Sequence, residues 1–64
     1  MKDKVGIIGL GAMGGIYARH LISAGFEVIG CDLVESHVTA LVERGMQRAF
    51  TPKDVAEKAD VLVS

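Results

Sequence analysis

Apolar residues fall along this chain in two rhythms. Val5-Gly6-Ile7-Ile8 and Val28-Ile29-Gly30-Cys31 are short runs with almost no polar interruption. Such runs suit parallel strands covered on both faces. Between and after them the apolar positions recur every three or four residues, the spacing of one helix face. Gly14, Ala18, Leu21 and Gly25 form one such line, and Val34, Val38, Leu41 and Val42 form a second. The pattern predicts strands at Lys4–Ile8 and Glu27–Cys31, and helices at Ala12–Ala24 and Glu35–Arg44.

Punctuation sharpens these limits. Gly25 and Gly45 are left-handed stops, after which Phe26 and Met46 can reach back to Leu21 and Leu41. Val34 is a poor cap for the second helix. Gln47–Phe50 is expected as a short edge strand. Thr51 is a good N-cap, Pro52 suits the first helical position, and Asp54 follows three after the cap. Phe50 and Val55 stand at hydrophobic-staple spacing. That helix ends near Ala59, and Val61–Ser64 begins another strand. Strands and helices alternate, so the fold class is α/β: a partial, Rossmann-type parallel sheet of expected order 3-2-1-4 with helices on both faces. The first two helices cover one face and the third crosses to the other.

The joint between the first strand and first helix carries the chemistry. Gly9-Leu10-Gly11-Ala12-Met13-Gly14 is a G-x-G-x-x-G run, weak alone but strong in a strand-turn-helix setting. Gly9 lets the chain turn sharply, Gly11 lets backbone amides approach a pyrophosphate, and Gly14 lets the helix lie close on the strand. The helix N-terminus adds unpaired N–H donors and partial positive charge. Leu10, Ala12 and Met13 would border the phosphates, mainly through backbone. Asp32 ends the second strand, 18 residues after Gly14. It stands where an acid accepts the adenosine ribose hydroxyls, with Leu33 beside it. The same Asp can also cap the second helix. Its charge opposes a 2′-phosphate, and Leu33, Val34 and Glu35 bring no cation. NAD is therefore expected over NADP.

Composition narrows the alternatives. The chain has 64 residues, half of them hydrophobic, and a net charge of −1 with the signs interleaved. No basic stripe points to nucleic acid, and no apolar run has the roughly 20 residues of a membrane helix. Met1-Lys2-Asp3-Lys4 runs straight into a strand, so no targeting segment is read there. One cysteine permits no internal disulfide and suits a reducing cytoplasm. Cys31 reads as a small buried residue. His20 and His37 lack partners at metal spacing and read as surface or partly packed. Tyr17 reads as core, and Arg48 and Lys53 as solvated. No metal site and no catalytic acid, base or nucleophile is identified. The apolar composition and a last strand cut short suggest residues 1–64 as the N-terminal part of a dinucleotide-binding domain, its second half absent.

Beyond the glycines, Ala18, Leu21, Ala24-Gly25, Val28 to Asp32, Gly45, Thr51-Pro52, Val55-Ala56 and Ala59-Asp60-Val61 recur in a known order. With them the sequence resembles the opening of the β-hydroxyacid dehydrogenase family, the group of 3-hydroxyisobutyrate dehydrogenase and, more distantly, 6-phosphogluconate dehydrogenase. The likeness covers nearly the whole chain. It departs at Tyr17, where the family often has Met, and at His20, where it often has Asn. NADP-preferring members often carry Asn-Arg-Thr where this chain has Asp32, Leu33 and Val34. The resemblance implies a longer, homo-oligomeric enzyme oxidising a small 3-hydroxy acid to its semialdehyde, or the reverse. It implies a helical C-terminal substrate domain with a catalytic lysine. Neither that lysine nor the substrate-binding glycine motif lies in this chain, so no catalytic residue is carried over. A non-catalytic dinucleotide-binding module, an NADP-dependent enzyme like 6-phosphogluconate dehydrogenase or tartronate semialdehyde reductase, a flavoprotein and a methyltransferase are the competing readings.

Overall fold

A computed structural model describes residues 3–63. Met1 and Lys2 of the basic start, and Ser64 of the expected last strand, lie outside the described residues. The elements in order are β1 (Lys4–Ile8), α1 (Ala12–Ser23), β2 (Glu27–Cys31), α2 (Glu35–Val42), β3 (Gln47–Arg48), α3 (Pro52–Lys58) and β4 (Val61–Val63). All strand pairs are parallel, and the sheet order is β3-β2-β1-β4, as the sequence predicts. Ile8 pairs with Cys31, so β1 and β2 end level with each other.

Alternate strand positions serve opposite faces. Val5, Ile7 and Val28 cluster with Ala18 of α1 and with Val38 and Leu41 of α2. Ile29 and Cys31 cluster instead with Val55 of α3. The first two helices therefore share one face and the third lies on the other, as expected.

Both helix stops follow the glycines. Gly25 has φ +91°, and the amides of Gly25 and Phe26 donate to the carbonyls of Ile22 and Leu21 at 3.0 Å. Gly45 at φ +110° repeats the arrangement, with Met46 N–H on the Leu41 carbonyl. These bonds satisfy carbonyls that would otherwise be orphaned at a helix end. α2 is shorter than expected. After Val42 the amides of Arg44 and Gly45 donate three residues back, to Leu41 and Val42, so the last turn tightens. Thr51 caps α3, its hydroxyl accepting from the Asp54 amide at 3.1 Å.

Four expectations need correction. β3 spans only two residues. Ala49 adds one more bond to the Gly30 carbonyl, and the chain then leaves the sheet for α3. Phe50 makes no staple, for it is 77% exposed while Val55 is fully buried. Its ring lies instead under the Arg48 guanidinium, 4.6 Å from ring centre to cation carbon. Arg48 is thus not simply solvated; it also pairs through both terminal nitrogens with the Glu35 carboxylate. Val34, Val42 and Tyr17 are exposed rather than core, because α2 turns only Val38 and Leu41 fully inward and α1 only Ala18.

Candidate dinucleotide-binding site

The site forms where β1 and β2 end together. Gly9 leaves β1 at φ +91°, a conformation that favours glycine. Its amide donates to the Cys31 carbonyl at 3.0 Å, which extends the sheet by one bond before the turn. Gly14 then lets α1 start hard against the strand end. A Cβ on Gly14 would stand 1.9 Å from the Gly9 carbonyl oxygen. Gly11 is different. Its backbone is ordinary, at φ −68°, and a Cβ there would meet nothing within 4 Å. Its side is open, with room for a ligand to reach the backbone.

α1 begins with the Gly15 amide on the Gly11 carbonyl at 2.8 Å. The amides of Ala12, Met13 and Gly14 precede that first bond and have no partner among the described residues. Ala12 is exposed, and Met13 is 60% exposed. Leu10 behaves otherwise. Its side chain is buried in the core between the sheet and α2, and its amide is already taken.

That amide donates to Asp32 Oδ2 at 2.5 Å. Asp32 Oδ1 accepts from the Val34 amide at 2.7 Å, a local turn that starts α2. His37, one turn into α2, brings Nδ1 to 3.3 Å from Oδ2. The amides of Val34 and Leu10, more than His37, hold the Asp32 carboxyl below its ordinary value, against the opposing effect of partial burial. The group is therefore ionised at neutral pH. A carboxylate offers about four acceptor positions, and three are engaged here. The capping role foreseen for this Asp is not realised: the N-cap of α2 is Val34, with no side-chain cap, and Asp32 fixes only the turn that leads into it.

Beside Asp32 lies an apolar cleft of about 500 Å³, bordered by Gly9, Asp32, Leu33, Val34 and Pro52. Leu33 is fully exposed on its rim. An apolar slot beside a single fixed charge suits a flat base joined to a sugar. Cys31 borders the slot as a buried thiol. Burial, followed by the charges of Asp32 and Asp54, pushes its pKa up, so it stays protonated.

Sequence reasoning missed two contacts. His37 reaches Asp32 because five residues of turn and helix bring it back, a spacing that could have been noticed. The Glu35–Arg48 pair joins residues 13 apart across a sheet edge, and no local pattern signals it.

Residues 4–64 match the family described as the NAD binding domain of 6-phosphogluconate dehydrogenase. The chain is 43% identical over 63 residues to a probable mitochondrial 3-hydroxyisobutyrate dehydrogenase of Dictyostelium discoideum, covering 98% of this chain and 20% of that protein. It is equally identical, over 63 residues, to the mitochondrial 3-hydroxyisobutyrate dehydrogenase of Rattus norvegicus, covering 98% of this chain and 19% of the relative. An imine reductase from Pseudomonas sp. superposes with a TM-score of 0.92 at 32% identity, over 97% of this chain and 22% of that one. The chain thus spans about a fifth of the length of the relatives it matches.

Proposed function

The chain belongs to the family of the NAD binding domain of 6-phosphogluconate dehydrogenase, and on that footing we propose that it forms the adenosine-diphosphate half of an NAD site. The protein it serves is then an oxidoreductase of the 3-hydroxyisobutyrate dehydrogenase type. When bound, NAD accepts hydride from the alcohol carbon of a small 3-hydroxy acid, or its reduced form returns it.

The observation that carries this reading is the pairing of free amides with an ionised acid. The amides of Ala12, Met13 and Gly14 face outward at the positive end of α1, where a pyrophosphate is favoured. The Asp32 carboxylate stands beside the slot that would take adenosine. Gly9, Gly11 and Gly14 shape the turn, and Leu10 holds Asp32 through its amide. Leu33 supplies an apolar rim for the base. Of the three bonds to Asp32, the one to His37 is the longest, so it is the one a ribose hydroxyl would displace. The charge of Asp32 supports NAD over NADP.

In this reading a second strand-helix half seats the nicotinamide, and a helical domain supplies the substrate pocket and the catalytic lysine. The short coverage of the relatives supports that larger protein. Exposed Met13, Ile16 and Tyr17 on α1, with Val61 and Leu62 on β4, are apolar surface that further parts or a second copy would cover. A free cysteine with no disulfide partner fits a reducing compartment, and the cytoplasm is the one proposed.

A thermal-shift panel on the full-length protein tests the reading. NADH should raise the unfolding temperature more than NADPH does, and FAD and S-adenosylmethionine should leave it unchanged. Stabilisation by FAD or S-adenosylmethionine alone would overturn it.

A further inference from the structure

A second recess opens on the helical face, between α1 and α2, with a volume of about 280 Å³. Its border includes Gly11, Arg19, Ser36, His37 and Arg44. It shares no lining residue with the cleft beside Asp32. Arg19 lies on α1 and Arg44 follows α2, so the tertiary fold, not sequence spacing, brings them to one recess. Neither guanidinium has an acidic partner among the described residues, where the ion pairs found are Asp32–His37 and Glu35–Arg48. No carboxylate lines the recess.

Two unpaired guanidinium groups facing one small space repel each other, and an anion between them reverses the sign of that interaction. Each is a planar fork of donors that fits phosphate oxygens in pairs. Gly15 and Ala40 line the space without filling it. The geometry points to a binding site for a phosphate monoester in the α1–α2 recess, held by Arg19 and Arg44. This goes beyond the NAD reading, for NAD carries no monoester. Its source is a phosphorylated small molecule that binds by itself, since the Asp32 charge opposes the 2′-phosphate of a nucleotide resting beside it.

Calorimetric titration of the full-length protein with inorganic phosphate, at ionic strength fixed with chloride, tests the site. Saturable binding is expected. Arg19→Gln and Arg44→Gln should each weaken it about tenfold, as the loss of one charged hydrogen-bonding partner does. Lys53→Gln, a cation lost elsewhere, should leave it unchanged. Thermal unfolding without phosphate checks that the variants fold, and Arg19→Lys and Arg44→Lys, which keep the charge, should retain part of the affinity. A heat that never saturates, or one equal in wild type and both Gln variants, would overturn the site. Tighter binding of 2′-AMP than of 5′-AMP would place the phosphate at the coenzyme's ribose and overturn the separate site. Phosphate binding undiminished by saturating NAD would assign it to a separate metabolite. Because phosphate is titrated alone, absence of NAD binding would leave this result standing.

Discussion

The Leu10 amide donates to the Asp32 carboxylate at 2.5 Å, across 22 residues of chain. One bond thus ties the glycine turn after β1 to the acid after β2. The part of the chain that would meet the phosphates and the part that would meet the sugar cannot move independently. Asp32 also accepts from Val34, so the same carboxylate fixes the start of α2. A residue expected mainly to face a ligand is also structural.

Replacing Asp32 should therefore do two things at once. In Asp32→Ala, NAD affinity of the full-length protein should fall about tenfold or more, since each charged hydrogen bond contributes about 1.5–3 kcal/mol. NADP affinity should fall less, because the repulsion of its 2′-phosphate goes too. Stability should drop by about 1–3 kcal/mol as the Leu10 and Val34 amides lose their acceptor. Paired titrations with both nucleotides, alongside urea unfolding, check this. Equal losses for NAD and NADP would remove the ribose role.

The lowered pKa of Asp32 sets a pH dependence. The folded value lies below the ordinary 3.8, so folding favours the ionised form. The stability it contributes is complete above about pH 4 and disappears as pH falls through the lower, folded value. Urea unfolding of wild type and Asp32→Asn should differ by a constant amount from pH 5 to 7. The difference should shrink below about pH 4. A difference that grows on acidification would contradict the bonds to Val34 and Leu10.

Much of this was legible in the sequence because glycine and proline act locally. Gly9, Gly25 and Gly45 take positive φ where the chain must turn, and Thr51 with Pro52 starts α3 by rules that span four residues. The sheet order followed from alternation of strands and helices. What stayed hidden depends on distant partners. Arg48 reads as a solvated cation until the β2–β3 pairing brings Glu35 beside it. Val34 and Val42 fit a helical stripe, yet α2 meets the sheet along a narrower line than the stripe suggests. At the site, Asp32 and the glycines stood out by spacing, whereas His37 did not, because its role exists only once α2 has formed.

Cys31 should be inert while the protein is folded. Its thiol is buried, and both burial and neighbouring acids keep it protonated. At pH 7.5 its reaction with a disulfide reagent should be more than about tenfold slower in the native protein than in urea. Comparable rates in the two states would show that the region around β2 opens freely, against the packing of Ile29, Cys31 and Val55.

Gly11 and Gly14 belong to one motif but should fail in opposite ways. A methyl on Gly14 points into the Gly9 carbonyl oxygen at 1.9 Å, which is backbone and cannot rotate aside. Gly14→Ala must push α1 off the strand end, and overpacking of this kind costs about 1–3 kcal/mol or more. A Cβ on Gly11 has nothing within 4 Å apart from its chain neighbours, and the position needs no unusual φ. Gly11→Val should leave stability within about 0.5 kcal/mol, the usual range for an exposed change. The same valine would stand in the path of a pyrophosphate approaching the amides of Ala12 and Met13. Urea unfolding and NAD titration of both variants in the full-length protein separate the two effects. Gly14→Ala should lose stability, and affinity with it. Gly11→Val should lose affinity alone. A Gly11→Val protein that binds NAD as wild type does would move the phosphates away from this turn.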